Sequence, residues 1–117
     1  MNHPPIHEAP VYPVDPASNV TLTIIIGEAQ LGISGAWLDA TFMRKGDFTK
    51  QVIGKGAALA GKALRLRTMV ADVNAFTNRM AVTYILEGGK KTYRETLKWE
   101  VAQDGDPASF RIAIPIA

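Results

Sequence analysis

The segment most similar to a catalytic motif lies near the middle of the chain. Residues 56–62, GAALAGK, have the glycine and lysine spacing of a loop that cradles nucleotide phosphates. That loop continues with Ser or Thr, whose hydroxyl holds magnesium, but this chain has Ala63 there. The loop also needs a helix behind it, whereas Leu64-Arg65-Leu66-Arg67 alternates as a strand does. We therefore predict neither nucleotide hydrolysis nor a nucleotide cofactor.

The chain has 2 histidines, His3 and His7, which have the spacing of a helical metal-ligand pair. Such a pair requires a helix that brings both rings to one face, and Pro4 and Pro5 prevent a helix between them. We expect two exposed histidines in a mobile arm and no metal site. A histidine base within the folded domain is then also excluded.

Two acidic segments can be compared with cation-binding loops. Asp72-x-Asn74 begins like a calcium loop, but Phe76 occupies the next ligand position. The Asp104-Gly105-Asp106 segment is typical of a turn. Sequence alone places no two carboxylates at a catalytic separation, so an enzyme with a carboxylate pair is the lowest-ranked alternative.

Basic side chains are concentrated between residues 44 and 98, which contain all but one of the 13 Lys and Arg residues. Residues 1–43 contain none, although the net charge of the whole chain is only +2. This asymmetry indicates either a basic surface for an anionic partner or acidic ends that fold back onto a basic middle. The candidate anion-binding residues occupy outward strand positions and nearby turns: Lys62, Arg65, Arg67, Lys90, Lys91, Arg94 and Lys98.

These residues form one stripe if the strands that carry Arg65 and Arg94 are neighbours, and the stripe could then meet phosphate or an acidic protein. Tyr93 and Trp99 point inward by their parity, so the stripe lacks the exposed rings on which single-stranded nucleic acid stacks. Nucleic acid therefore ranks below protein as the partner. The alternative is that outward basic residues only protect strand edges from pairing.

Alternation of apolar and polar residues with period two dominates the chain from Val20 onward. Turn signals divide the alternating segments, and Gly88-Gly89-Lys90 predicts a tight hairpin. About seven short strands predict an all-β fold, an antiparallel β-sandwich. The predicted strands cover residues 20–26, 31–37, 48–53, 64–71, 82–86, 93–101 and 110–116, with a polar turn at 44–47.

Two segments depart from this alternation. Residues 54–63 combine helix formers with three glycines, which predicts a loop or one short helical turn. The runner-up is an α+β fold with one short helix near 57–66. Prolines keep the first segment extended, so we divide the chain into a Pro-rich arm or linker, 1–18, and a single domain, 19–117. The arm either connects to an upstream domain or pairs elsewhere.

The stretch from Ala63 to Gly89 contains a long alternating segment, an Asp72-Val73-Asn74 turn and then Val82-Thr83-Tyr84. In this order it resembles the B–C strand pair of bacterial immunoglobulin-like modules. The resemblance covers about a quarter of the chain. It implies an immunoglobulin-like sandwich and no particular family, because the cysteines of immunoglobulin domains are absent.

Apolar residues also occur on strand faces that should be polar. Ile25 and the side that carries Ala36 and Leu38 are examples. Such a face is either covered within the domain or meets a second chain, which predicts self-association. Parity places four large aromatic residues in the core: Trp37, Tyr84, Trp99 and Phe110.

A chain of 117 residues with 47% hydrophobic residues can fold as one domain without disulfides or metals. It has no cysteine, no recognisable signal peptide and no long apolar run, which favours a cytoplasmic protein without a membrane span. The sequence predicts a non-catalytic binding or structural module that acts without a cofactor or small-molecule substrate. Its partner is another protein or a second copy, and an anion-binding module is the main alternative.

Overall fold

Nine β-strands and one helical turn build residues 3–117, the part of the chain that the computed structural model describes. In chain order the elements are β1 (His7–Glu8), β2 (Asn19–Ile26), β3 (Leu31–Leu38), β4 (Thr41–Gly46), β5 (Gln51–Lys55), α1 (Gly56–Leu59), β6 (Ala63–Ala71), β7 (Arg79–Glu87), β8 (Tyr93–Glu100) and β9 (Pro107–Pro115). One sheet has the order β1-β9-β6-β3-β4 and the other β5-β2-β7-β8. All strand neighbours are antiparallel except β1 and β9. The all-β prediction is confirmed.

The apolar core lies between the two sheets, and β6 illustrates how the sequence specifies it. Every second residue from Leu64 to Val70 is buried, and Arg65, Arg67 and Met69 between them are exposed. Because successive side chains of a strand point to opposite faces, this segment has one dry row and one solvated row. Each fully buried aliphatic side chain stabilises the fold by about 1.5–3 kcal/mol.

A short chain of hydroxyl groups crosses this core and joins the two sheets. Ser34 Oγ lies 2.8 Å from Thr68 Oγ1, which lies 2.7 Å from the Tyr84 hydroxyl oxygen. Ser34 and Thr68 belong to the five-stranded sheet and Tyr84 to the four-stranded sheet. Burial raises the pKa of Tyr84 to about 12, while its hydrogen bond with Thr68 acts in the opposite direction. Since all three residues are buried, their hydroxyls depend on one another for hydrogen bonds.

The proline-rich arm packs against both sheets. β1 pairs with β9, and backbone hydrogen bonds continue that pairing through Ala9, Tyr12 and Val14 as far as Ala117. The Tyr12 side chain is buried, and its hydroxyl accepts a hydrogen bond of 3.0 Å from the backbone N–H of Gly89 in the β7–β8 hairpin.

Two predictions in the middle of the chain are wrong in their boundaries. The polar turn expected at residues 44–47 belongs to β4 as far as Gly46, so the turn begins at Asp47. The strand expected at residues 48–53 is β5, which begins three residues later and continues to Lys55. β4 was missed because Arg44 and Lys45 give it the composition of a turn. It is an edge strand, and charged residues are common in edge strands. With β1 and β4, the strand count is nine rather than about seven.

The glycine-punctuated segment forms the single turn of α1, and β6 already begins at Ala63. The runner-up α+β fold, with a helix near residues 57–66, is therefore wrong. A Cβ atom at Gly56 would overlap the backbone carbonyl of Asp15. The backbone of the arm therefore packs directly against the first residue of α1. None of the helical structure within residues 3–117 is long and apolar enough to cross a membrane.

Candidate interaction face

Four large apolar side chains are exposed together on the outer face of the five-stranded sheet. Their exposed fractions are 66% for Leu31, 44% for Ile33, 55% for Phe42 and 37% for Met69. They lie on β3, β4 and β6, which are adjacent in the sheet. We call these four residues, together with Trp37, the apolar face. Contiguous exposed apolar surface of this kind marks interaction sites in soluble proteins.

The apolar face exists because β3 is turned the opposite way from the prediction. Trp37 was expected inside and Ala36 on the opposite face, but Ser34 and Ala36 are buried while Leu31 and Ile33 are exposed. Trp37 is half-buried on the outer face, so its assignment to the core is wrong. The core beside residues 32–36 of β3 has space for small side chains only, and period two then turns Leu31, Ile33 and Trp37 outward. Leu38, at the end of the strand, packs against the core.

The cause of this restriction is visible at Gly32, on the inner side of β3. A Cβ atom there would lie 2.7 Å from Ile26 Cδ1 and 2.7 Å from the carbonyl oxygen of Met69. The Ile26 side chain of the opposite sheet therefore packs directly on the β3 backbone. The sequence signal for this arrangement is the series of small residues at positions 32, 34 and 36.

Trp37 forms the floor of a depression at the centre of the apolar face. Its ring lies over Gly35, where a Cβ atom would come within 2.8 Å of the indole. Phe42 packs edge-on against it, with ring centroids 5.6 Å apart and an interplanar angle of 65°. Ile33 and Met69 complete the apolar wall of the depression, whose volume is about 320 Å³. A rigid aromatic pair beside aliphatic and arginine side chains has the composition of a binding hot spot.

Cationic side chains border the apolar face. Lys45 and Arg67 line the depression itself, and Arg65 lies one outward position farther along β6. Arg111 is directly opposite Arg67 on β9. Arg67 Nε donates a hydrogen bond of 2.9 Å to Ser109 Oγ, which fixes the guanidinium close to the sheet. Within residues 3–117, none of these four cations forms an ion pair with a carboxylate, so their field is free to attract an anionic partner.

The predicted basic stripe is divided between the two sheets. Arg65 and Arg67 lie on β6 of the five-stranded sheet, and Arg94 and Lys98 lie on β8 of the four-stranded sheet. β6 and β8 are therefore not neighbours, and these two pairs point to opposite outer faces of the sandwich. The condition on which the stripe depended is not met.

The remaining predicted basic residues lie in connections at the end of the sandwich where β9 finishes. Lys62 follows α1, and its carbonyl accepts a hydrogen bond from Ile116 N. Lys90 and Lys91 lie in the β7–β8 hairpin, where Lys90 N donates to the carbonyl of Pro13 in the arm. The structure thus distributes the seven residues over two faces and one end.

Both histidines have partners in the folded domain, so the expectation that they lie exposed in a mobile arm is wrong. His3 Nδ1 accepts a hydrogen bond of 3.1 Å from Ser109 N, and His7 Nε2 lies 3.3 Å from Glu95 Oε1. Each side chain is half-buried and helps hold the arm. The described part of the chain contains no group of three or more His, Cys, Asp or Glu side chains arranged for a metal ion.

A polar cluster closes the end of the sandwich where the β6–β7 connection lies. Gln30 is buried, and its Nε2 donates a hydrogen bond of 2.9 Å to Asp72 Oδ1. Gln30 Oε1 accepts hydrogen bonds of 2.8 and 2.9 Å from the backbone of Val73 and Asn74. Asp72 Oδ2 accepts another, of 3.2 Å, from Gly105 N. Through these bonds Asp72 joins the β6–β7 connection to the loop that contains Gly105. Sequence reasoning missed Gln30, because a single amide side chain forms no recognisable motif.

Compared with protein-family models, with curated proteins and with solved structures, the chain gives no match.

Proposed function

We propose that this protein is a non-catalytic, immunoglobulin-like β-sandwich module that binds another protein through the apolar face. The single observation that carries the proposal is the exposure of Leu31, Ile33, Phe42 and Met69 on three adjacent strands. Withdrawing such side chains from water is the main favourable term in protein association. A solvated sheet face would carry polar residues at these positions instead.

The immunoglobulin-like character of the sandwich is part of the proposal. Its support is the path from β6 to β7, which crosses from one sheet to the other through the connection at residues 72–78. The B and C strands of immunoglobulin domains make the same crossing.

The chemistry of the face also suggests the chemistry of its partner. Four cationic side chains border the apolar residues: Lys45, Arg65, Arg67 and Arg111. The carboxylate-bearing neighbour on β1 is Glu8, which is separated from Arg65 by Ala113 of β9. A partner that places Asp or Glu around a central Leu, Ile or Phe would satisfy both features. Aromatic and arginine side chains are enriched in interface centres, which agrees with Trp37 and Arg67 at the depression.

A displayed library of random peptides provides a defined probe for this proposal. Peptides selected on the wild-type domain are expected to combine acidic and large apolar residues. Phe42→Ser and, separately, Arg67→Glu should each weaken their binding by about tenfold or more, as expected for a hot-spot contact. Ile25→Ser is the matched control, because Ile25 is 46% exposed on the outer face of the other sheet.

Peptides that bind Phe42→Ser as tightly as the wild type would overturn the proposal, and so would peptides that respond to Ile25→Ser instead. Heparin is the second probe in the same assay. Salt-sensitive heparin binding that depends on Arg65 and Arg67 but not on Phe42 would make a polyanion the partner of this face.

A further inference from the structure

The four-stranded sheet ends in β8, whose second long side has no strand neighbour within residues 3–117. We call this side the β8 edge. It extends over eight residues, whereas the other end strands, β1, β4 and β5, have two, six and five. A long free edge presents unpaired backbone N–H and C=O groups and is a template for a further strand.

The inward side chains of β8 are also incompletely covered. Tyr93, Leu97 and Trp99 are half-buried, whereas Val82 and Leu86 on the neighbouring β7 are fully buried. The Tyr93 hydroxyl and Trp99 Nε1 are shielded from water but have no hydrogen-bond partner among the described residues. Buried polar groups in native proteins normally have hydrogen-bond partners. The Tyr93 hydroxyl and the Trp99 N–H therefore need acceptors that the described residues do not provide.

We propose that a second copy of this chain pairs with the β8 edge, antiparallel and about a two-fold axis at Leu97. This proposal concerns a different sheet from the apolar face and does not depend on it. Its basis is the charge pattern of the outward row, which is Arg94, Thr96, Lys98 and Glu100. With Leu97 opposite Leu97 of the second copy, Arg94 lies opposite Glu100 and Thr96 lies opposite Lys98. The two-fold axis produces each of these contacts twice.

The two neighbouring registers that keep the sheet faces continuous are unfavourable. The register must change by two residues at a time, because a change of one would place outward side chains opposite inward ones. With Thr96 at the axis, Arg94 would oppose Lys98. With Lys98 at the axis, the two Lys98 side chains would oppose each other. Like charges directly opposite destabilise a strand pair, so the register centred on Leu97 is favoured over its two neighbours. A register centred on Trp99 would place Lys98 opposite Glu100, but only residues 98–100 of β8 would then overlap.

The same register completes the inward row. It places Glu95 directly opposite Trp99 of the second copy, which brings a carboxylate beside the unpartnered indole N–H. Glu95 uses Oε1 for its contact with His7, and Oε2 remains as an acceptor. Leu97 meets Leu97 between the two such pairs and extends the apolar row across the axis.

Pairing one strand of eight residues buries less surface than the roughly 1,600 Å² of a standard stable interface. The dimer is therefore expected to be weak and concentration-dependent, with a Kd on the order of micromolar or above.

Sedimentation equilibrium of the full chain over a range of concentrations tests the proposal. Arg94→Glu turns both Arg94–Glu100 contacts into repulsion and should weaken dimerisation by about tenfold. The double variant Arg94→Glu/Glu100→Arg restores opposite charges and should restore the wild-type Kd. Lys55→Glu makes the same charge change on β5, at the opposite edge of the same sheet, and should leave the Kd unchanged.

Three results would overturn the proposal: a wild-type monomer at millimolar concentration, an Arg94→Glu variant that dimerises like the wild type, or a double variant that is not rescued. Arg94 and Glu100 are exposed, so all variants should fold, and unchanged circular dichroism spectra verify this. A dimer that responds to Phe42→Ser instead would place self-association on the apolar face. The peptide-binding assay is read independently of all these outcomes.

Discussion

The two outer faces of the sandwich follow the same alternating pattern but differ in chemistry. The four-stranded sheet carries mainly hydroxyl and charged groups outward, with Ile25 among them, and Thr83 Oγ1 and Thr96 Oγ1 lie 2.8 Å apart across β7 and β8. The five-stranded sheet carries Leu31 and Phe42 outward, each more than half exposed. Alternation with period two divides the side chains of a strand into two rows. The space left by the opposite sheet in the core decides which row is buried and which is exposed to water.

The hydroxyl chain between the sheets provides the strongest test of this contrast. Thr68→Val keeps the side-chain shape but removes the partner of both Ser34 and Tyr84 in the core. We expect the free energy of unfolding to fall by about 2–4 kcal/mol, because buried hydroxyls are left unpaired. Urea denaturation measures this change. Thr96→Val is the control on the outer face, where Thr96 is exposed and its partner Thr83 keeps only 9% exposure, and the expected change is smaller, below about 1 kcal/mol. Equal effects of the two substitutions would show that hydroxyls inside and outside the sandwich are energetically alike.

Alkaline pH is expected to lower the stability of the fold by ionising buried tyrosines. This effect should be smaller than that of Thr68→Val and larger than that of Tyr12→Phe, described below. Burial, the largest cause, raises the pKa of Tyr84 and of Tyr93 to about 12 and also raises the pKa of Tyr12 above 10.0. Because the pKa values are higher in the folded state, the stabilisation is complete below pH 10 and is lost as pH rises through 12. For Tyr84 the loss is on the order of 2 kcal/mol.

An absorbance titration of the tyrosinate band, in native buffer and in urea, measures these pKa values. The native titration should lie about two pH units above the denatured one for Tyr84, and Tyr84→Phe should remove that component. Native tyrosines that ionise together near pH 10 would contradict the burial of Tyr84 between the sheets.

The smallest expected effect concerns the arm, which contacts both sheets. Tyr12→Phe removes the acceptor of the Gly89 N–H bond and should lower the free energy of unfolding by about 1 kcal/mol. Val11→Ala is the neighbouring control, since Val11 is 51% exposed, and should change it by less than about 0.5 kcal/mol. Differential scanning calorimetry of the two variants separates these values. A Tyr12→Phe variant as stable as the wild type would mean that the Tyr12 hydroxyl adds nothing to the other contacts that hold the arm.

The sandwich could be predicted from sequence because its longest strands alternate without interruption. β6 matches its prediction closely, since it depends on local residues only. The hairpin predicted at Gly88-Gly89 is present, but its connection, residues 88–92, is longer than a tight turn. β4 could not be predicted in this way, because Arg44 and Lys45 in an edge strand have the composition of a turn.

The candidate site was less accessible to sequence reasoning than the fold. The apolar face depends on the packing of Ile26 against Gly32, a contact between sheets that no local pattern encodes. The basic stripe failed for a related reason: parity places Arg65 and Arg94 outward correctly, but sheet membership follows from how strands pair over long sequence distances. Self-association was predicted from Ile25 and the Ala36 side, and Ala36 proves to be buried.

The parallel pairing of β1 with β9 has a mechanical consequence. Hydrogen bonds join Ala9 N to the carbonyl of Ala113, Tyr12 N to that of Pro115 and Ala117 N to that of Tyr12. Both segments run in the same direction, so tension applied between residues 3 and 117 would pull them past each other along their length. These bonds would then bear the load in shear and together, whereas a hairpin pulled apart at its open end releases its bonds one after another. The sandwich would therefore resist stretching as a single unit until the hydrogen bonds between the arm and β9 break together.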